Sequence, residues 1–276
     1  MTVSPATYVF AVCGPDHPRA LGSAGGHPEG GPLRFLPIGS LRAVVQDVPA
    51  AAFAEAALRE RLADAAELER CARTHHDVVS AAAAGGPAVP LPLATLYRGD
   101  ERAAAALAEN QERFRAVLDR IAGRAEWAVK VYLTQPARPA PPTRPDRPLT
   151  HPDRPPAQAP PETSGRAYLN RLRGRQQLRE RQRENALAAA ERVDSAVRQI
   201  AAGSVRRRPH GPEVTGHDRT QIMNAAYLIA RDRSDEPAAT IGRLRGAPGF
   251  DDVEIDVSGP WAPYSFTDGD ERAGHH

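Results

Sequence analysis

An α+β chain with two small units is what this sequence predicts, and three observations predict it. Short segments alternate polar and apolar residues, as in Asp252-Val253-Glu254-Ile255-Asp256-Val257, between longer runs with helical periodicity. Residues 136–161 hold eleven of the 27 prolines, a density that prevents a packed element and favours an extended, solvated chain. The hydrophobic fraction is 41%, but aromatics are only 5%, so alanine supplies much of the interior and the cores should be modest and helix-rich. Strands and covering helices in each half suit two ferredoxin-like units. The expected division is an N-terminal domain over 1–134, a disordered proline-rich linker over 135–163, a C-terminal domain over 164–266 opened by a long helix, and a flexible tail over 267–276.

The first unit opens with a strand over 7–13, and the Gly- and Pro-dense stretch 14–31 is expected to be a mobile loop. Strands over 33–38 and 41–47 flank Gly39-Ser40, which reads as a two-residue hairpin turn. Helical sequence runs over 51–84, broken near 63–66, and stops at Gly85-Gly86-Pro87. Residues 89–97 read as a strand interrupted by Pro90 and Pro92, which belongs at an edge or a bulge. Asp100 is placed to cap the next helix, whose Leu107, Phe114, Val117, Leu118 and Ile121 share a face. Gly123 ends that helix, and 126–133 returns as the strand that completes the first sheet.

The second unit begins with a helix over 164–202, basic in its front half and apolar along Ala186, Ala190, Val193, Val197 and Ile200 in its back half. Gly203 terminates it, strands follow over 205–208 and 224–231, Ser234 caps a short helix through 244, and 253–257 closes the sheet. Pro260 and Pro263 then flank Trp261, fixing φ and removing two donors, so the strand is expected to give way to a stiff turn. That turn carries Trp261, Tyr264 and Phe266, either as a plug packed on the second unit or as a contact surface.

Net charge is +2, unevenly spread: 166–208 is basic and 251–271 acidic, which suggests an interaction surface or a contact between the two. Lys130 is the only lysine, from coding bias or from selection for the bidentate contacts of arginine. The arginine run over 166–183, with Arg171, Arg175 and Arg179 as a candidate docking face, admits three readings. It can be a solvated face paired with Glu180, Glu184 and Glu191, a surface for a protein partner, or a phosphate-binding helix of a nucleic-acid-binding regulator. Cys13 and Cys71 form no CxxC pair, and Met1–Pro5 lacks a secretory pattern, so a reducing cytoplasm is expected. No run approaches the roughly 20 apolar residues of a membrane span. Neighbouring His75 and His76 diverge by about 100° on a helix and do not suit one metal. His217-Asp218 reads as loop surface, and HExxH, GxxxxGK[ST] and GxSxG patterns do not occur. No catalytic site, metal or cofactor is therefore expected.

Gly259-Pro260-Trp261-Ala262-Pro263-Tyr264-Ser265-Phe266 after an alternating strand resembles the ending of the gas vesicle GvpL/GvpF family. Tyr8-Val9-Phe10, His75-His76-Asp77-Val78-Val79, Pro90 to Tyr97, Glu126-Trp127-Ala128-Val129-Lys130-Val131 and Asn224-Ala225-Ala226-Tyr227-Leu228 are similar to further segments of that family. Leu93-Ala94 departs from it, standing where an aromatic-Gly pair is usual. The resemblance implies a non-enzymatic, cytoplasmic accessory protein and minor component of gas vesicles. Such a protein binds the small apolar shell protein, with other accessory proteins as further partners, and limits its aggregation during nucleation and assembly. Leu91, Leu93, Leu96, Trp261, Tyr264 and Phe266 are the candidate partner contacts or structural locks, and the leucines have core filling as their other reading.

Overall fold

Two antiparallel sheets organise the chain in the computed structural model, which describes residues 5–18, 21–134, 163–211 and 219–267. The first contains β1 (Ala6–Cys13), β2 (Arg34–Ile38), β3 (Leu41–Val48), β4 (Ala88–Pro90) and β5 (Leu96–Tyr97). Its order is β2-β3-β1-β4, with β5 also pairing β1. The β2–β3 hairpin turns at Gly39-Ser40 with Ile38 opposite Leu41, and Gly39 takes the positive φ of 59° that the tight turn needs. A register shift between Val9 and Ala11 lets Val9 and Val12 share one face while Tyr8, Phe10 and Cys13 share the other.

Helix α1 (Glu55–Ala63) and helix α2 (Ala65–Gly85) follow, parted at Asp64, whose carboxylate caps α2 through the Glu67 amide. Val78, Val79 and Ala82 of α2 pack on Tyr8, Phe10 and Val44. Helices α3 (Asp100–Ala108) and α4 (Gln111–Ile121) cover the opposite face through Leu107, Phe114, Val117 and Ile121.

The second sheet contains β6 (Arg124–Leu133), β7 (Gly203–Arg207), β8 (Thr220–Ala230) and β9 (Val253–Trp261), in the order β7-β8-β6-β9. Helix α5 (Thr163–Arg198) and helix α6 (Glu236–Arg245) cover one face, where Ala190, Val193, Val197 and Ile241 meet Trp127, Val129, Tyr227 and Ile229. The other face turns Ala226 and Leu228 toward α3 and α4. One core therefore spans both sheets, with α3 and α4 between them.

Several expectations are corrected by this arrangement. The strand over 126–133 belongs to the second sheet, paired along its length with β8 and β9. In the first sheet β1 already has β3 on one side and β4 and β5 on the other, so no central place is left. Alternation in a sequence marks a strand but not its sheet. The break between units therefore falls at Gly123 rather than at 134. Residues 135–162 of the expected linker lie outside the described residues, but β6 before them and the back half of α5 after them share the core of the second sheet. The first sheet also departs from the ferredoxin-like plan, because β1, β2 and β3 follow one another without a helix. The second runs strand, helix, strand, strand, helix, strand.

Local expectations shift as well. Stretch 89–97 is two short strands around a turn. Asp100 is the first residue of α3 rather than its cap, and its carboxylate takes Thr7 and Arg34 instead. The α6 cap position is Asp235, and Ser234 bonds back to the Arg231 carbonyl. In the loop over 14–31, the described residues are anchored rather than loose: His17 bonds the Ala82 carbonyl at 2.7 Å, and His27 exchanges two bonds with Gln46. Strand β9 does not end before the prolines but runs to Trp261, opposite Glu126 across a register shift. An edge strand tolerates this, since Pro260 has no donor to lose to an outer neighbour. Residues 268–276 of the expected tail are outside the described residues, while Thr267 accepts a bond from Arg113.

Candidate functional site

The adjacent histidines of α2 divide the work of holding two turns. His75 faces the first sheet, where its Nδ1 lies 3.0 Å from the Tyr8 hydroxyl and its Nε2 3.1 Å from the Leu91 carbonyl. A carbonyl only accepts, so Nε2 carries the proton and Nδ1 accepts from Tyr8. The Tyr8 hydroxyl in turn accepts the Ala94 amide at 2.9 Å. One neutral chain thus ties α2, β1 and the turn between β4 and β5. Burial lowers the His75 pKa to about 4 and pushes the Tyr8 hydroxyl up to about 12, so both stay neutral at pH 7. The turn bears one backbone outlier, Ala94 at φ 64°.

His76 faces the other way, toward the segment after β9. Its ring stacks with Tyr264 at 6.0 Å and meets the Trp261 indole edge-on at 5.6 Å. The Trp261 Nε1 reaches Ser258 at 3.3 Å. Glu126, buried on β6, accepts both the Ser265 amide at 2.7 Å and the Ser265 hydroxyl at 2.5 Å. Burial raises the Glu126 pKa, and the two Ser265 bonds oppose the rise. Arg120 donates to the Phe266 carbonyl, and Phe266 itself enters the core beside Leu228. Gly259 fits where it does because a Cβ there would stand 2.8 Å from the Trp127 ring and 2.9 Å from the Glu126 carbonyl.

The structure therefore separates the six candidates. Phe266 is core, Leu91 packs against the core between the sheets, and Leu96 and Tyr264 pack against the α2 core. Leu93 is half-buried and joins none of these cores, and Trp261 is 43% exposed. The segment after β9 seats on α2 of the first unit as well as on the second, which alternation and proline spacing could not reveal. Sequence reading also missed His76 and Glu126 as its anchors. A carboxylate beside a tryptophan in a mostly apolar strand was the available signal for Glu126. The edge at β4 and β5 is only three and two residues long and is bounded by Pro90 and Pro92, so it is a poor template for an added strand. Any partner at this site would be met by side chains.

Arg171, Arg175 and Arg179 lie far along α5 from this site in the chain, all exposed. Glu191 pairs with Arg206 of β7 rather than with the arginine run. Among the described residues no three His, Cys, Asp or Glu side chains converge as a metal site, and no helix is long and apolar enough to cross a membrane.

Comparison with known proteins bears on this arrangement directly. The family model described as gas vesicle synthesis protein GvpL/GvpF matches residues 6–268. Gas vesicle protein L of Streptomyces sp. (strain CB03234) is 35% identical over 260 residues, covering 94% of this chain and 91% of that protein. Gas vesicle protein F of the same strain is 28% identical over 277 residues, covering 95% and 99%. The crystal structure of GvpF from Anabaena sp. PCC7120 superposes with a TM-score of 0.63 at 15% identity, covering 99% of this chain and 100% of that one. That of GvpF from Microcystis aeruginosa gives 0.61 at 16%, covering 97% and 100%. These two structures share the fold.

Proposed function

Because this chain belongs to the GvpL/GvpF family of gas vesicle synthesis proteins, we propose that it binds the small apolar shell protein and limits its aggregation while vesicles nucleate. The observation that carries this reading is Trp261, a large apolar ring left 43% exposed on a rigid base. Pro260 precedes it, buried Ala262 follows it, and Ser258 and His76 hold its indole. An aromatic ring presented at fixed orientation loses little entropy on binding, which is what an anchor for an apolar partner needs. Leu93, half-buried and outside the cores, is the second candidate apolar side chain.

Light scattering of purified shell protein diluted from denaturant tests this. The full chain is expected to suppress the rise in scattering at near-stoichiometric ratio. Trp261→Ala and Leu93→Ala together should abolish suppression with little change in melting temperature. Undiminished suppression by that double variant would remove the site from the function.

A further inference from the structure

The front half of α5 is a helix without a floor. Residues 169–185 are exposed throughout, apart from half-buried Gln182, over about 25 Å of helix. Burial starts only at Ala186 and continues through Ala190, Val193 and Val197. The helical repeat carries that same face back onto Arg171, Arg175 and Arg179. The face that packs on the second sheet thus runs on past it and turns from alanine and valine to arginine. Arg171, Arg175, Arg179 and Arg183 stand four apart in one ridge. Leu172 and Leu178, 48% and 57% exposed, sit three residues to either side of Arg175 and border it.

Charge decides what covers this face. Elsewhere several arginines are paired with carboxylates: Arg34 with Asp47 and Asp100, Arg206 with Glu191 and Asp194, Arg233 with Glu236. Among the described residues no carboxylate lies against the ridge, and residues 169–185 contain six arginines to two glutamates. A helix this polar, interrupted by Gly174, is not held by its own propensity over such a length. A second copy of the arm would bring arginine to arginine. Nucleic acid would satisfy the guanidiniums but leave the bordering leucines without a partner, and no aromatic stacking residue lies in 169–185.

We propose that this ridge docks an acidic amphipathic helix of a protein partner, with carboxylates at four-residue spacing on the arginines and apolar side chains between Leu172 and Leu178. Guanidinium–carboxylate pairs would set register, and the leucines would exclude water around them. The surface is separate from Trp261, so it stands or falls apart from shell-protein capture.

Fluorescence anisotropy with the full chain at physiological salt tests it, using a labelled synthetic helical peptide with glutamates four apart beside a leucine stripe. That peptide is expected to bind. Replacing its leucines with glutamine, or its glutamates with lysine, should weaken binding tenfold or more. Arg175→Glu with Arg179→Glu should weaken it as much, at unchanged melting temperature and unchanged suppression of shell-protein scattering. The lysine peptide should bind this reversed variant. No binding by the glutamate–leucine peptide, equal binding by its glutamine version, or tighter binding of a duplex DNA at the same salt would each overturn the proposal. So would self-association of the chain that the double variant abolishes.

Discussion

Ala94 shows how much a single position can report. Among the described residues it is the one non-glycine with positive φ, at 64°. An L-residue there costs about 1–2 kcal/mol from the approach of Cβ to the carbonyl. The turn keeps it because the Ala94 amide feeds the Tyr8–His75 chain. Ala94→Gly should raise stability by about 0.5–1 kcal/mol in urea unfolding, the relief exceeding the added freedom of the unfolded chain. The position was legible as a departure from the family pattern, alanine where glycine is usual, but the strain itself was not. His75 gives a second outcome at this scale. Its pKa falls from 6.5 to about 4 on folding, so between those values the unfolded chain binds the extra proton. Stability is complete above 6.5 and is lost as pH drops toward 4, by roughly 3 kcal/mol. His27, also lowered by burial, adds to the same trend. His75→Gln should flatten that decline in denaturant midpoints measured from pH 7 to 4, and an unchanged slope would place the acid sensitivity elsewhere.

Elements carry the distinction between lock and contact in the C-terminal turn. Two prolines around Trp261 were legible as a rigid aromatic segment, but not which ring faced in. That depends on β9 pairing onward to Glu126, and pairing is not encoded in local spacing. Phe266 is the ring that locks: it lies in the core between the sheets, so Phe266→Ala should cost about 3–5 kcal/mol. Trp261→Ala, at a half-exposed ring, should cost about 1 kcal/mol or less in the same thermal melt. Reversed magnitudes would exchange their roles. Gly259 permits the whole passage of β9 under Trp127, with φ at 148°. Gly259→Ala forces atoms apart and should destabilise by about 1–3 kcal/mol, detected as a lower melting temperature with Trp127 fluorescence shifted.

At the scale of the molecule, fold class and most element positions were readable, while the partition between sheets was not. The proline-rich stretch looked like a boundary because composition changes there, yet the strand before it and the back half of the helix after it share one core. A fragment over 1–134, natural by composition, should fail as a soluble unit. It would display β6 with Trp127, Val129 and Val131 bare and would strip Leu228 and Phe266 from the first core. Size-exclusion chromatography should find it aggregated, and a monodisperse, cooperatively melting fragment would contradict the shared core. The central place of β6 has a further consequence, in time rather than in space. Lys130 pairs with Asn224 on one side and Asp256 on the other, both far downstream. A growing chain therefore holds an apolar strand with two open edges while most of its partners are still unmade, and loop closure over such separations is slow. Until β8 and β9 arrive, the nascent protein presents a sticky strand surface of its own, so its synthesis is the stage at which it most needs protection from aggregation.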